Sequence, residues 1–319
     1  MTLIGHDHAW QEWHTAMASP RMHHAWLLSG ISGLGKASFA RAAAAALVAE
    51  PGVHQPDPEH HPDILIPEHP AESKEEQRKR EDGQDYRKKR SIPIDEIRLM
   101  QQRLTTRPTL GRRRVVILDP ADDLEKSAAN ALLKSLEEPP VGTYFLLVAH
   151  RIGRLLPTIR SRCRILRFDP LAESDVAAIV AREAPEADAA TRAAAVAAAE
   201  GSPGAALAFV GQQLGKVHVL MERLVRDGDD GFDLRGLLAQ EIGARPARER
   251  IAASLDLARA VVVGGLRVAN PAGQARIITA HGELVRLAAQ APTYNFDPGM
   301  LAMEIGGLLA GVALPREAT

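Results

Sequence analysis

The stretch that most constrains this chain is "AWLLSGISGLGKASFARAAAAALVA", residues 25–49. An apolar run, "AWLLS", passes through a glycine-rich turn into an alanine-rich helical pattern. Gly30, Gly33 and Gly35 followed by Lys36 give the spacing Gly-x-x-x-x-Gly-Lys, after a strand and at the start of a helix,. Glycines let successive backbone N–H groups turn toward one anion, and the helix N-terminus adds positive potential. Lys36 is placed to reach the β- and γ-phosphates of a nucleotide. A tight turn carrying a surface lysine is the plainer alternative, and the strand and helix around it weigh against that.

Two parts needed for hydrolysis are missing. The residue after the lysine, a serine or threonine that holds magnesium in a working site, is Ala37. Ser38 does not substitute, because one helical residue turns a side chain by about 100°. The second half of the site should end the third strand, in "RRRVVILDPADDLEK". Asp119 closes that strand and could hold a metal through water, but the position of the glutamate that polarises water is Pro120. Asp122 and Asp123 read as helix-start residues, where carboxylates suit the helix dipole, with a catalytic role as the weaker alternative.

Short apolar runs alternate with helical patterns over residues 25–170, the sign of a parallel sheet with crossover helices. The expected strands are "AWLLS", "DILIP" (63–67), "VVILD" (115–119), "YFLLVA" (144–149) and "RILRF" (164–168). The ligand crevice of such a sheet lies at the carboxyl ends of its strands. Residues 51–62 are a proline-rich connector. Residues 71–90 are dense in charge of both signs with little to bury, and read as a solvated or disordered excursion. Beyond 171 the strands stop. Two short helices and a third opening at Ser202 precede a segment, 212–315, that is helical by periodicity with breaks near Asp227–Gly231 and Pro271–Gly273. The expected organisation is a nucleotide-binding domain over 1–170, a helical lid over 171–211 and a helical C-terminal domain over 212–319.

Bulk properties narrow the partners. The 319 residues are 45% apolar with a net charge of −1, so the chain as a whole has no electrostatic commitment to nucleic acid,. Cys163 is the only cysteine, which excludes an internal disulfide and a cysteine-based zinc site. The opening "MTLIGHDHAWQEWH" has neither a basic start nor an apolar core, and no run reaches the roughly 18 apolar residues of a membrane helix,. A cytoplasmic protein with no membrane contact is expected. His54, His60, His61 and His69 lack paired ligand spacing and read as solvated loop residues, so no zinc is expected. Arg112–Arg114 read as surface residues, as do the basic runs within 78–90.

"SAANALLKSLEEPP" (127–140) followed by "LLPTIRSRCRILRF" (155–168) resembles the bacterial clamp-loader ATPases of the AAA+ class, part of the DNA polymerase III holoenzyme. "LIGHDHA" (3–9), "HHAWLLSG" (23–30) and "HPDILIP" (61–67) are similar to the family's opening and its second strand. The resemblance covers about residues 3–208 and implies an α/β AAA+ domain, a small helical lid and an all-α C-terminal collar. Within the family are motor subunits, gamma or tau, and a rigid partner that does not hydrolyse ATP. Ala37 and Pro120 point to the partner. So does "GSPGAAL" (201–207), which lacks the sensing arginine of the motors, and so does a length without the tau extension. An active motor of the same family is the alternative. The four-cysteine zinc module common in both groups is absent from "AEPGVHQPDPEHHP".

The resemblance also assigns Ser161-Arg162-Cys163. In the family this arginine is displayed at a subunit boundary, reaching the γ-phosphate of a neighbour, and Cys163 is a packing residue rather than a nucleophile. A structural surface arginine is the alternative for Arg162. The implied partners are the gamma/tau and delta subunits, with the sliding clamp and primer-template DNA reached through the assembled complex. No cofactor is required, and residual ATP or ADP binding at Gly30, Gly33, Gly35, Lys36 and Asp119 is possible.

Overall fold

The computed structural model describes residues 4–291, 294 and 296–313. Leu3 of the opening motif and residues 292, 293, 295, 314 and 315 of the expected helical run 212–315 lie outside these. The chain divides into two compact units, 1–170 and 171–319.

The first unit is built on a five-stranded parallel sheet in the order β2-β3-β4-β1-β5. Its elements are α1 (Asp7–Ala18), β1 (Ala25–Ser29), α2 (Lys36–Val48), β2 (Ile64–Leu65), α3 (Lys74–Glu81), α4 (Ile94–Leu104), β3 (Arg114–Leu118), α5 (Lys126–Glu137), β4 (Thr143–Ala149), α6 (Pro157–Arg160) and β5 (Arg164–Arg167). Side chains alternate between faces along each strand. Trp26, Leu28, Val115, Ile117, Leu146 and Val148 pack on one side with Phe39, Ala43 and Leu47 of α2. Ala25, Leu27, Val116, Leu118, Phe145 and Leu147 pack on the other with Ile97, Met100, Leu132 and Leu136 of α4 and α5. Both faces are covered, as a parallel sheet requires. The alanines of α2 keep that helix close to the strands. Trp13 of α1 meets Trp26 edge-on, with ring centroids 5.3 Å apart.

Three expectations need correction in this unit. The second strand is two residues long, Ile64–Leu65; the Asp63 carbonyl still accepts the Val115 N–H at 2.9 Å, while its side chain turns into an ion pair. Its Oδ1 lies 3.5 Å from Nη2 of Arg114, and its two oxygens accept the N–H groups of Thr109 and Leu110 at 2.6 and 2.7 Å. Arg114 is therefore buried, 3% exposed, while Arg112 and Arg113 are at the surface. Within 71–90 a helix forms, α3, capped by Ser73 Oγ and carrying acids in its first turn and bases in its last. Those charges suit the dipole, and α3 buries no residue.

The second unit is all helical: α7 (Glu173–Glu183), α8 (Ala189–Ala198), α9 (Pro203–Gly211), α10 (Gly215–Asp227), α11 (Asp233–Ile242), α12 (Arg248–Gly264), α13 (Pro271–Gln290) and α14 (Pro298–Ala310). One hydrophobic cluster runs from Val176 to Val312, so residues 171–211 and 212–319 share a core. Ser202 caps α9 through Ala205 N–H, with Pro203 in the first turn. The break expected at Pro271 falls ahead of it, since proline opens α13 behind the Asn270 cap,. A further break begins at Gly243, at φ 101°, and Asp297 caps the start of α14.

Candidate nucleotide site and Arg162

β3, β4 and β1 are adjacent and parallel, so their carboxyl ends meet at one edge of the sheet. β1 delivers the loop 30–35, β3 delivers Asp119 and β4 delivers His150. Gly33 and Gly35 have φ of 82° and 80°, the left-handed region glycine adopts without strain. At Gly30 a Cβ would lie 2.4 Å from the Phe168 carbonyl oxygen, so no side chain fits. His6, in the opening segment, donates from Nε2 to the Leu34 carbonyl at 2.8 Å and ties that segment to the loop.

Lys36 is 2% exposed. Its ammonium donates to the Gly30 and Ile31 carbonyls at 2.7 and 2.5 Å. Burial lowers its pKa to about 8, against the opposing pull of the Asp122 and Asp119 carboxylates. Burial and the Lys36 charge also push the His150 pKa down, so that imidazole is neutral at pH 7.

The acidic side of the site is occupied by partners from this chain. Asp119 Oδ2 lies 3.7 Å from Nη1 of Arg41, whose Nε lies 3.6 Å from Glu59 Oε1. Asp122 and Asp123 do not start the next helix. They belong to a short 3-10 turn over Ala121–Asp123, and α5 opens at Lys126 behind Glu125. Asp122 Oδ1 accepts the His150 N–H at 2.9 Å and Oδ2 lies 3.8 Å from Arg151 Nε. Asp123 Oδ2 lies 3.3 Å from His69 Nε2.

This fold implies a magnesium ion between the residue after the lysine and the acid that ends β3. Ala37 offers only a methyl group, and Asp119 already faces Arg41. Among the described residues no group of three or more His, Cys, Asp or Glu is gathered to hold a metal. The donor set does not fit the ion. The histidines of the connector divide in two: His54 and His60 are exposed, whereas His61 is buried and bonds Gln55 Oε1 at 2.7 Å. With His69 held by Asp123, the expectation of four solvated histidines is corrected at His61 and His69.

Arg162 sits at the other end of the sheet. It precedes β5, whose Arg164 is level with Trp26 near the start of β1, while the loop leaves the far end of β1. At about 3.3 Å per strand residue the two are on the order of 15 Å apart. Arg162 Nη2 lies 2.5 Å from Glu137 Oε1, and Nη1 donates to the Thr158 carbonyl at 2.9 Å. Ser161 Oγ donates to the same carbonyl at 3.1 Å. Arg164 is committed to Glu12 at 2.8 Å and to the Trp26 ring. Burial pushes the Cys163 thiol up to about 12, which keeps it protonated.

Sequence reasoning missed His6, Arg41, Glu137 and His150. Arg41 follows Ala37 by one helical turn on the same face, which is a readable signal. The roles of His150 and Glu137 depend on strand order and helix ends, which no local pattern reports.

A family model described as DNA polymerase III, delta subunit, matches residues 5–172. The DNA polymerase III subunit delta' of Pseudomonas aeruginosa is 35% identical over 167 residues, 48% of this chain and 46% of that protein. The subunit delta' of Escherichia coli K12 is 40% identical over 121 residues, 38% and 36% respectively. The subunit gamma of Buchnera aphidicola (Schizaphis graminum strain) is 32% identical over 158 residues, 49% and 41%. The matches thus span less than half the length of these relatives. Among solved structures, a gamma subunit-related protein of Thermotoga maritima superposes with a TM-score of 0.51 at 18% identity, covering 95% of this chain and 99% of that one. That likeness establishes the AAA+ type of fold.

Proposed function

The chain belongs to the DNA polymerase III delta-subunit family of clamp-loader proteins, and on that premise we propose that it is a delta-prime-type subunit that does not hydrolyse ATP itself. It presents Arg162 in trans to the nucleotide of a neighbouring gamma/tau-type subunit. With those and a delta subunit it loads a sliding clamp onto primed DNA during replication in the cytoplasm.

The observation that carries this reading is the separation of Arg162 from the chain's own loop by the length of the sheet. A guanidinium at the amino end of β5 serves only a phosphate offered from outside. Its permanent charge and planar fork suit the γ-phosphate, and an arginine supplied in trans is worth on the order of 10³–10⁵ in rate in GTPases. The chain's own loop, without a magnesium ligand at 37 and with Pro120 after Asp119, keeps at most a nucleotide-holding role through Lys36 and the loop N–H groups.

The isolated chain with Mg-ATP is expected to show no turnover above a protein-free blank. In a reconstituted complex, Arg162→Ala is expected to lower ATP hydrolysis by the partner subunits at least tenfold; unchanged hydrolysis refutes the trans assignment. A second reading, an active gamma/tau-type motor, is favoured by the gamma and tau relatives at 30–32% identity. Robust turnover by the chain alone would select it.

A further inference from the structure

Helix α5 ends on two glutamates, and Glu137 is its last helical residue. The C-terminus of a helix is the negative end of its dipole, so a carboxylate there is unfavourable unless a cation answers it. Such breaches of a local rule concentrate where function requires them. The cation that answers Glu137 is Arg162, with Nη2 2.5 Å from Oε1. The other terminal nitrogen, Nη1, donates to Thr158 of α6. Two acceptors on two different helices thus fix the plane of a guanidinium that is only about a third exposed.

Both anchors are themselves held. Leu136, beside Glu137, is buried and its carbonyl accepts from His24 Nε2 at 2.8 Å. Ile159, beside Thr158, is fully buried. An exposed arginine lacking such acceptors would sample many rotamers before meeting a phosphate.

We propose that Glu137 is a positioning residue for Arg162, holding the guanidinium pre-aimed at the phosphate of the neighbouring subunit. This rests on the trans role of Arg162 argued above. Orientation fixed before the encounter lowers the barrier to reaction. A partly exposed ion pair of this kind contributes little to folding,, so Glu137 acts on rate and leaves stability nearly unchanged.

The test is steady-state ATP hydrolysis by the reconstituted complex carrying wild type, Glu137→Ala, Glu137→Gln, Arg162→Ala or the Glu137→Ala/Arg162→Ala double variant. Expected are a loss of at least tenfold in kcat for Arg162→Ala and about threefold for Glu137→Ala. The KM for ATP stays within twofold. The double variant is no slower than Arg162→Ala alone. Glu137→Gln recovers part of the rate, because its amide oxygen still accepts from the guanidinium. Wild-type or raised kcat in both Glu137 variants overturns the inference, as does a further loss from Glu137→Ala on the Arg162→Ala background. If Arg162→Ala itself is without effect, the trans reading falls and takes the inference with it. A loss in Arg162→Ala with none in Glu137→Ala removes the inference alone.

Discussion

Lys36 shows a single residue held against its own solvation. Folding lowers its pKa from 10.5 to about 8, so the native state binds its proton less well than the unfolded chain does. Below pH 8 both states are protonated and the full cost of the buried ammonium is present, of the order of 3 kcal/mol. Between pH 8 and 10.5 the unfolded chain holds the extra proton, and stability rises with pH. Lys36→Met removes that cost and leaves the Gly30 and Ile31 carbonyls to water or weaker partners. Denaturant melts at pH 7 should then show a gain of about 1–2 kcal/mol and a flatter profile from pH 8 to 10.5, with the nucleotide-holding role lost. A variant less stable at pH 7 and parallel to wild type would contradict this. The Asp63–Arg114 pair behaves oppositely, since both groups are buried, with both Asp63 oxygens and both Arg114 terminal nitrogens hydrogen-bonded. Asp63→Ala strands a buried guanidinium and should cost about 3–5 kcal/mol in the same melts. The glycine-lysine spacing was legible because it is local. Arg114 was not, because an arginine in the run Arg112–Arg114 looks solvated until the turn at 105–110 folds around it.

At the scale of elements, the strands were readable as apolar runs because the sheet is buried on both faces, so burial and sequence report the same thing. The second strand shrank to Ile64–Leu65, ahead of Pro67, which has no N–H to give a ladder,. Charge density hid α3: nothing in it is apolar, yet its cap and its ordered acids and bases satisfy a helix without a core. The neck below it is closed by Glu72 N–H to the Arg87 carbonyl at 2.8 Å and Lys89 N–H to the Pro70 carbonyl at 2.7 Å. Both of these backbone bonds lie outside α3, which is tied to the neck by Glu76 Oε2 accepting the exposed Arg87 N–H at 2.6 Å, so replacing residues 74–85 with a short Gly-containing turn should change stability by no more than about 0.5 kcal/mol. A larger loss in thermal melts would mean that α3 supports the sheet. Asp122 and Asp123 were misplaced for a related reason. Carboxylates that suit a helix start also suit other partners, and His69, the His150 backbone N–H and Arg151 come near only once β4 and the 66–70 segment are in place.

For the whole molecule, the decisive feature is that each unit owns a core. The sheet of 1–170 is covered on both faces by its own helices, and the cluster from Val176 to Val312 lies wholly within 171–319. The family match ends at residue 172, beside that division. The loop, Asp119, Glu137 and Arg162 all belong to the first unit, so a fragment of residues 1–170 contains every residue to which the proposal assigns chemistry. A unit with its own core can fold alone. Expressed alone, 1–170 is expected to melt cooperatively. The full chain is expected to give a calorimetric unfolding enthalpy exceeding its van't Hoff value, since two cores need not unfold together. Lys36→Met serves as a marker: it should shift the transition assigned to 1–170 and leave the other in place. A single transition with equal enthalpies, moved as a whole by Lys36→Met, would show that the two cores unfold as one and that the arginine cannot be studied apart from the helical unit.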